Sequence, residues 1–152
     1  MQWQKDSFTI SDEQAHLDIS FIHNFLSQSY WAKEIPQATV ERSIKNSVCF
    51  GLYHHQHQIG FFRVITDHAT FAYLADVFVI ETFHNQGLGK WLISCVLEHP
   101  DLQGLRRWML ATLDAHWLYE KHDFVTLKHP EWFMEIAKPE LYQEEKMHDK
   151  IA

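Results

Sequence analysis

The chain has 152 residues, a formal charge of −7 with histidines neutral, 46% hydrophobic residues and 14% aromatics. That length and apolar content predict a single folded domain over residues 1–152 and exclude a disordered chain. The acidic balance excludes a phosphate-backbone binder, which needs concentrated Lys and Arg, so no nucleic-acid partner is expected.

In chain order, a short strand is predicted at Phe8 to Ile10. Leu17 to Ser29 carries Ile19, Phe21, Ile22, Phe25 and Leu26 at helical spacing. Tyr30 and Trp31 fall in a loop ending near Pro36, and Thr39 to Asn46 reads as a second helix. Strands follow at Val48 to Tyr53 and Ile59 to Ile65, joined by a polar turn over His54 to Gln58. Phe71 to Ile80 is a longer strand. After it comes a loop with two glycines, then a helix whose stripe is Leu88, Trp91, Leu92, Cys95 and Val96, with Pro100 beyond its end.

Trp108 to Leu113 is the next predicted strand, and Asp114 is a candidate N-cap for a short helix through His122. Phe124 to Leu127 and Trp132 to Ala137 are expected as two late strands. The last ten or so residues, mixed in charge, read as a solvated helix or tail. This β-α-α-β-β-β-α-β-α-β-β order predicts an α/β (α+β) fold, a mixed, largely antiparallel sheet flanked by helices on both faces.

The N-terminus lacks a signal-peptide pattern, and no apolar run reaches the ~18 residues of a membrane span, so a cytoplasmic chain with no membrane partner is expected. Cys49 and Cys95 lie in core elements and read as packing thiols. His54, His55 and His57 fall in a hairpin turn without a matched partner set, so no metal is expected.

The most informative segment is Asp76 to Lys90. A buried strand runs into Gly87-Leu88-Gly89 and then a helix. Glycines at such a junction let backbone N–H groups approach an anion, and the helix N-terminus favours negative charge. It is not a P-loop, because the Gly-Lys-Ser/Thr ending is missing. Three antiparallel-looking strands precede it, which argues against a dinucleotide fingerprint.

Val77-Phe78-Val79, followed by His84-Asn85-Gln86-Gly87-Leu88-Gly89-Lys90, resembles the acyl-CoA-binding motif of the GNAT superfamily of N-acetyltransferases. That motif reads Arg/Gln-x-x-Gly-x-Gly/Ala after a Val-rich strand. Downstream, Leu113-Asp-Ala-His-Trp-Leu-Tyr-Glu-Lys-His-Asp-Phe124 is similar to the family's Ala-x-x-Leu-Tyr-x-x-x-Gly-Phe.

The resemblance implies a GNAT-like fold and acetyl-CoA as acyl-donor cosubstrate, without metal. It implies that Val77, Phe78 and Val79 pair with the pantetheine arm, with a Phe78 or Val79 amide polarising the thioester carbonyl. His84, Asn85, Gln86, Gly87, Leu88, Gly89 and Lys90 would wrap the pyrophosphate, mainly through main-chain N–H groups. Tyr119 would protonate the departing thiolate. His84 stands where the pattern has Arg or Gln, which makes the pyrophosphate contact weaker or pH-dependent. Asp123 stands where it has Gly, and Trp117 where a small residue is frequent.

Asp76 and Asp114 are the candidate bases for the acceptor amine. Asp76 is otherwise a structural carboxylate, Asp114 otherwise the helix cap, and Tyr119 otherwise a Tyr packed on the sheet. Glu81 reads as a solvated loop residue. Tyr30 and Trp31 occupy the region that forms a substrate wall in the superfamily, or else anchor their loop. The resulting expectation is transfer of an acetyl group to a primary amine of a small molecule by direct attack in a ternary complex, since no nucleophilic Cys motif is present. A non-catalytic acyl-CoA-binding module, a protein or peptide amine as acceptor, and a pure interaction protein are the competing readings. A homodimer is compatible with the family.

Overall fold

The computed structural model describes the backbone of residues 1–151 and the side chains through Met147. Six strands form one sheet in sequential order: β1 (Gln2–Lys5), β2 (Phe8–Ser11), β3 (Val48–His54), β4 (His57–Thr66), β5 (Phe71–Val79) and β6 (Arg107–Leu110). Neighbours from β1 to β5 are antiparallel, and β5 with β6 is parallel. Helices α1 (Ile19–Ser27) and α2 (Gln37–Lys45) fall between β2 and β3, and α3 (Leu88–Leu97) between β5 and β6. Helices α4 (His116–Glu120) and α5 (Leu141–Ile151) follow.

Strand alternation sends side chains to two cores. Phe50, Leu52, Phe62, Val64, Ala72 and Leu74 pack with Leu88, Leu92, Ile93, Cys95 and Val96 of α3 and with Tyr119 of α4. On the opposite face Cys49, Phe61 and Phe78 meet Ile22 and Leu26 of α1 and Val40 and Ile44 of α2. Helices therefore cover both faces, as the periodicity predicts. Each of the larger fully buried chains contributes about 1.5–3 kcal/mol.

Four expectations need correction. A strand, β1, precedes the predicted first strand. The strand predicted at Trp108 to Leu113 ends at Leu110, because β5 turns away beyond Leu74 and leaves no partner for a longer ladder. Asp114 does not cap α4: it stays exposed, the cap position is Ala115, and the Ala115 N–H donates to Thr112 Oγ1 at 3.1 Å. The two late strands at Phe124 to Leu127 and Trp132 to Ala137 do not form, and nothing in the chain's own sheet pairs with them.

Candidate active site

The site begins with a fault in the sheet. Phe61 pairs with Phe78 and Arg63 with Ala75, so Asp76 and Val77 together oppose Phe62. This is a β-bulge, and Asp76 enters it at φ 52. Asp tolerates that left-handed conformation better than a β-branched residue would. The extra residue reverses the alternation, so Phe78 faces α1 and α2 while Val77 and Val79 pack toward α3.

The bulge also opens the sheet. Pairing of β5 with β6 stops at Leu74–Leu110, while pairing with β4 continues to Val79–Gly60. Above Leu74 the two parallel strands diverge into a wedge. Ile80 N–H donates to Ile59 O at 2.9 Å. In an antiparallel ladder the next residue back, Val79, therefore turns its N–H and C=O away from β4 and into the wedge. Phe78 lies in the next hydrogen-bonded pair, which commits its amide to β4. Of the two amides expected to meet a thioester carbonyl, the geometry presents that of Val79.

His84 binds this strand end. Its Nε2 lies 2.6 Å from Val79 O, and its main-chain N–H donates to Glu81 O at 3.0 Å. A carbonyl only accepts, so Nε2 carries the proton. The ring braces the loop against the strand, and both donors are used within the protein. The N–H groups of Asn85, Gln86, Gly87, Leu88, Gly89 and Lys90, by contrast, make no hydrogen bond among the described residues.

Asn85 at φ 63 and Gly87 at φ 75 turn these six amides into one concave run ending on the first turn of α3. Such a nest at a helix N-terminus is an anion site. A Cβ at Gly87 would touch nothing within 4 Å, so its backbone conformation is what calls for glycine there. A Cβ at Gly89 would come no closer than 3.6 Å to Leu118, so neither packing nor φ requires glycine at that point. Lys90 adds a positive charge beside the nest. His122, which sequence reasoning missed, is close enough to feel that charge. Burial holds its imidazole below the usual histidine range, Lys90 adds to the shift, and its buried Nε2 has no partner among the described residues.

Tyr119 reaches the same region from α4. It is buried, packs edge-on against Phe124 at 5.8 Å between ring centres, and makes no side-chain hydrogen bond among the described residues. Burial pushes its phenol up to about 12, with the Tyr30 phenol adding to the rise. Asp123 takes φ 69 just after α4, in the place where the pattern has Gly, and Phe124 N–H donates back to Tyr119 O at 3.3 Å. Asp thus supplies the helix-ending conformation that glycine supplies more cheaply.

Tyr30 closes the far side of the wedge. Its hydroxyl accepts from Leu113 N–H at 3.3 Å, tying the α1–α2 loop to the chain beyond β6. A cleft of about 480 Å³ lies beneath, lined by Phe21, Asn24, Phe25, Gln28, Ser29, Tyr30, Trp31 and Ile80. None of these side chains is charged. Phe25 stacks on Phe78 at 3.7 Å, which links the cleft to the bulged strand.

Trp31 is fixed from behind. Its Nε1 donates to Asp76 Oδ1 at 2.9 Å, while Arg63 Nε donates to Asp76 Oδ2 at 2.7 Å and Arg63 also reaches Ser47 Oγ at 3.2 Å. The structure thus joins Tyr30 and Trp31 in the cleft lining, ties Trp31 to Asp76, and sets Tyr119 near enough to the Tyr30 phenol to feel it. Asp114 remains outside, exposed and without a hydrogen bond among the described residues. Sequence reasoning did not identify Arg63, Phe21 and Phe25 as site residues; the helical apolar stripe of α1 is the signal that contained the latter two.

Burial raises the Cys49 thiol to about 12 and the Cys95 thiol to about 11, so both stay protonated near neutral pH and offer no nucleophile. No helix among the described residues is long and apolar enough to cross a membrane, and no group of three metal-ligating side chains converges there.

Comparison with known proteins bears on the same features. A family model described as an acetyltransferase (GNAT) domain matches residues 45–126, from the end of α2 to just beyond Phe124. The crystal structure of an inferred GNAT-family acetyltransferase from Xanthomonas campestris pv. campestris is 48% identical, with a TM-score of 0.87 over 89% of this chain and 96% of that one. An inferred acetyltransferase of Gibberella zeae is 31% identical over 143 residues, 79% of this chain and 80% of its own. A GNAT acetyltransferase from Elizabethkingia anophelis, solved with acetyl-CoA bound, shares the fold at 20% identity and a TM-score of 0.60, over 78% of this chain and 76% of that one. With a family match across the wedge, nest and Tyr119 helix, and a relative nearly half identical, the chain belongs to the GNAT family of acetyltransferases and is an acyltransferase.

Proposed function

We propose that the protein transfers an acetyl group from acetyl-CoA to the primary amine of a small, uncharged or cationic apolar molecule, by direct attack with both substrates bound. The observation that carries this reading is the run of unbonded amides from Asn85 to Lys90 just beyond the bulged strand, next to a cleft with aromatic walls and no charged lining that reaches Ile80 at the same strand end. An acceptor bearing phosphate or carboxylate groups would find no Arg or Lys in that lining to replace its water.

Acetyl-CoA, once bound, supplies a thioester whose carbonyl carbon the amine attacks. The nest from Asn85 to Lys90 fits the pyrophosphate, and the unpaired side of β5 fits the amide-bearing pantetheine arm. Val79 N–H is the donor aimed where carbonyl charge develops. Tyr119, still protonated at neutral pH, hands its proton to the sulfur that departs, and the proton that the attacking nitrogen loses as the amide forms returns through water to the phenolate. Asp76 acts chiefly as a bracket for the Trp31 wall, because its two oxygens already face Arg63 and Trp31. The acceptor amine then enters as its neutral form, and the rate follows that fraction.

The test is release of free CoA thiol on mixing protein, acetyl-CoA and a panel of amines. Arylalkylamines should outpace amino acids and phosphorylated amines. CoA binding by calorimetry with no thiol release across the panel would favour the non-catalytic reading, and preference for a peptide lysine would overturn the small-molecule one.

A further inference from the structure

The polar side chains of the aromatic cleft divide into those already committed to the protein and those that are not. Ser29 Oγ donates to Leu26 O at 2.7 Å and accepts the Ala32 N–H at 3.1 Å. The Tyr30 hydroxyl accepts from Leu113 N–H, and the Trp31 indole donates to Asp76. Asn24 and Gln28 remain.

These two share the cleft face of α1 and its C-cap with Phe21 and Phe25, at the i, i+3, i+4, i+7 spacing that aligns side chains along one side of a helix. Ile22 and Leu26 turn into the core instead. The α1 wall of the cleft is therefore aromatic, with Phe25 stacked on Phe78, and it carries two carboxamides one helical turn apart.

Their one side-chain hydrogen bond among the described residues is to each other, from Gln28 Nε2 to Asn24 Oδ1 at 3.5 Å, the outer limit for such a bond. It leaves Asn24 with both amide N–H groups and Gln28 with its carbonyl and an N–H. A hydroxyl, phenol or carboxamide, which donates and accepts, uses both kinds of atom at once. A carboxylate would use the N–H groups alone and set its charge against the Gln28 oxygen, with no Arg or Lys in the lining to offset it. The reacting amine belongs at the other wall, where Ile80 follows Val79 at the strand end.

We propose that Asn24 and Gln28 form a specificity subsite for the tail of the acceptor, selecting an aromatic amine whose far end carries a neutral hydroxyl or carboxamide. This rests on the acetyl-transfer reading of the cleft and adds to it which amine the cleft selects. Both side chains are exposed, so water serves them when the tail is bare, and no buried group is stranded. The preference in kcat/KM should therefore be about three- to tenfold, short of what a fully buried hydrogen-bonding site reaches.

The experiment compares thiol release from acetyl-CoA with phenethylamines that differ only at the para position. The hydroxyl and carboxamide compounds should exceed the methyl compound by that factor, and the carboxylate compound should fall below it. In the double substitution Asn24→Leu with Gln28→Leu the advantage should vanish. Leucine is a good helix former, so this variant should melt cooperatively and bind CoA. A readout without turnover is the side-chain amide resonances of Asn24 and Gln28, assigned by their loss in the single leucine variants. They should move when the para-hydroxyl amine is added to the CoA-bound protein, and far less with the para-methyl amine. Amines that turn over with no advantage for polar tails overturn the subsite and leave acetyl transfer standing. Amide resonances that answer the hydroxyl, with no thiol release from any amine, keep the subsite and remove acetyl transfer. An advantage that persists in the double variant places the recognising groups elsewhere and overturns the assignment.

Discussion

Arg63 Nε and Asp76 Oδ2 meet at 2.7 Å between adjacent strands, and the other oxygen of Asp76 accepts the indole N–H of Trp31. The pair thus connects the left-handed bulge that opens the sheet to the aromatic wall of the cleft. Asp76→Asn keeps a side chain that tolerates φ 52 and an oxygen for Trp31, but removes the charge facing Arg63. The lost charged hydrogen bond should cost about 1.5–3 kcal/mol of stability. Its kcat should fall less than threefold, with an unchanged pH profile, while Asp76→Ala should raise the acceptor KM about tenfold by freeing Trp31, an effect of ~1.4 kcal/mol. A kcat loss of two orders of magnitude with a shifted alkaline limb in Asp76→Asn would make the carboxylate the base after all.

Tyr119→Phe removes a hydroxyl that has no partner among the described residues, so stability at neutral pH should change little. If the phenol is the acid, kcat should drop by about 10²–10⁴-fold while the KM for acetyl-CoA holds. The pH dependence of stability gives a second readout. The folded phenol titrates at about 12, above the ordinary value of 10.0, so the native state retains its proton where the unfolded chain loses it. That contribution is complete below pH 10 and is lost as pH rises toward 12. Wild type should therefore lose stability over that interval faster than Tyr119→Phe. Equal turnover in the two proteins would remove Tyr119 from the chemistry.

The two glycines of the nest separate conformation from ligand approach. Gly87→Ala must hold φ 75 with a Cβ, which costs roughly 1–2 kcal/mol and lowers Tm by a few degrees. Gly89→Ala fits without a clash inside a helix, where alanine is favoured by about 1 kcal/mol. It should hold or raise Tm yet weaken CoA binding by tenfold or more if a pyrophosphate lies against the backbone here as closely as glycine allows. Thermal melts with and without CoA measure both quantities. Tight CoA binding by Gly89→Ala would move the anion elsewhere.

Local chemistry made the nest and Tyr119 legible. Two glycines between an apolar strand and an amphipathic helix, and a Tyr on a later helix, lie within short stretches whose spacing carries their meaning. The bulge at Asp76 was not legible, since it exists only through the register of β4 against β5, and neither strand alone encodes which residue is extra. The same holds for Arg63, whose partner lies thirteen residues away across a sheet. Trp132 to Ala137 was read as a strand from side chains suited to one. Propensity names the conformation, but a strand also needs an edge, and the chain's own fold does not deliver it there.

His84 stands where the family pattern has Arg or Gln, and its ring Nε2 is bonded to the Val79 carbonyl. The 2.6 Å bond from Nε2 to Val79 O needs only the Nε2 proton, which both the neutral and the cationic ring can carry. The brace therefore does not depend on the charge of the ring, and the KM for acetyl-CoA should vary less than about threefold between pH 5.5 and 8. His84→Ala loses one hydrogen bond, worth about 0.5–1.5 kcal/mol, and frees both the loop and the Val79 carbonyl. The KM for acetyl-CoA should rise several-fold with kcat retained. His84→Gln, which can still donate to a carbonyl, should recover most of the loss. A steep fall in CoA affinity between pH 5.5 and 8 would instead assign an imidazolium to the pyrophosphate.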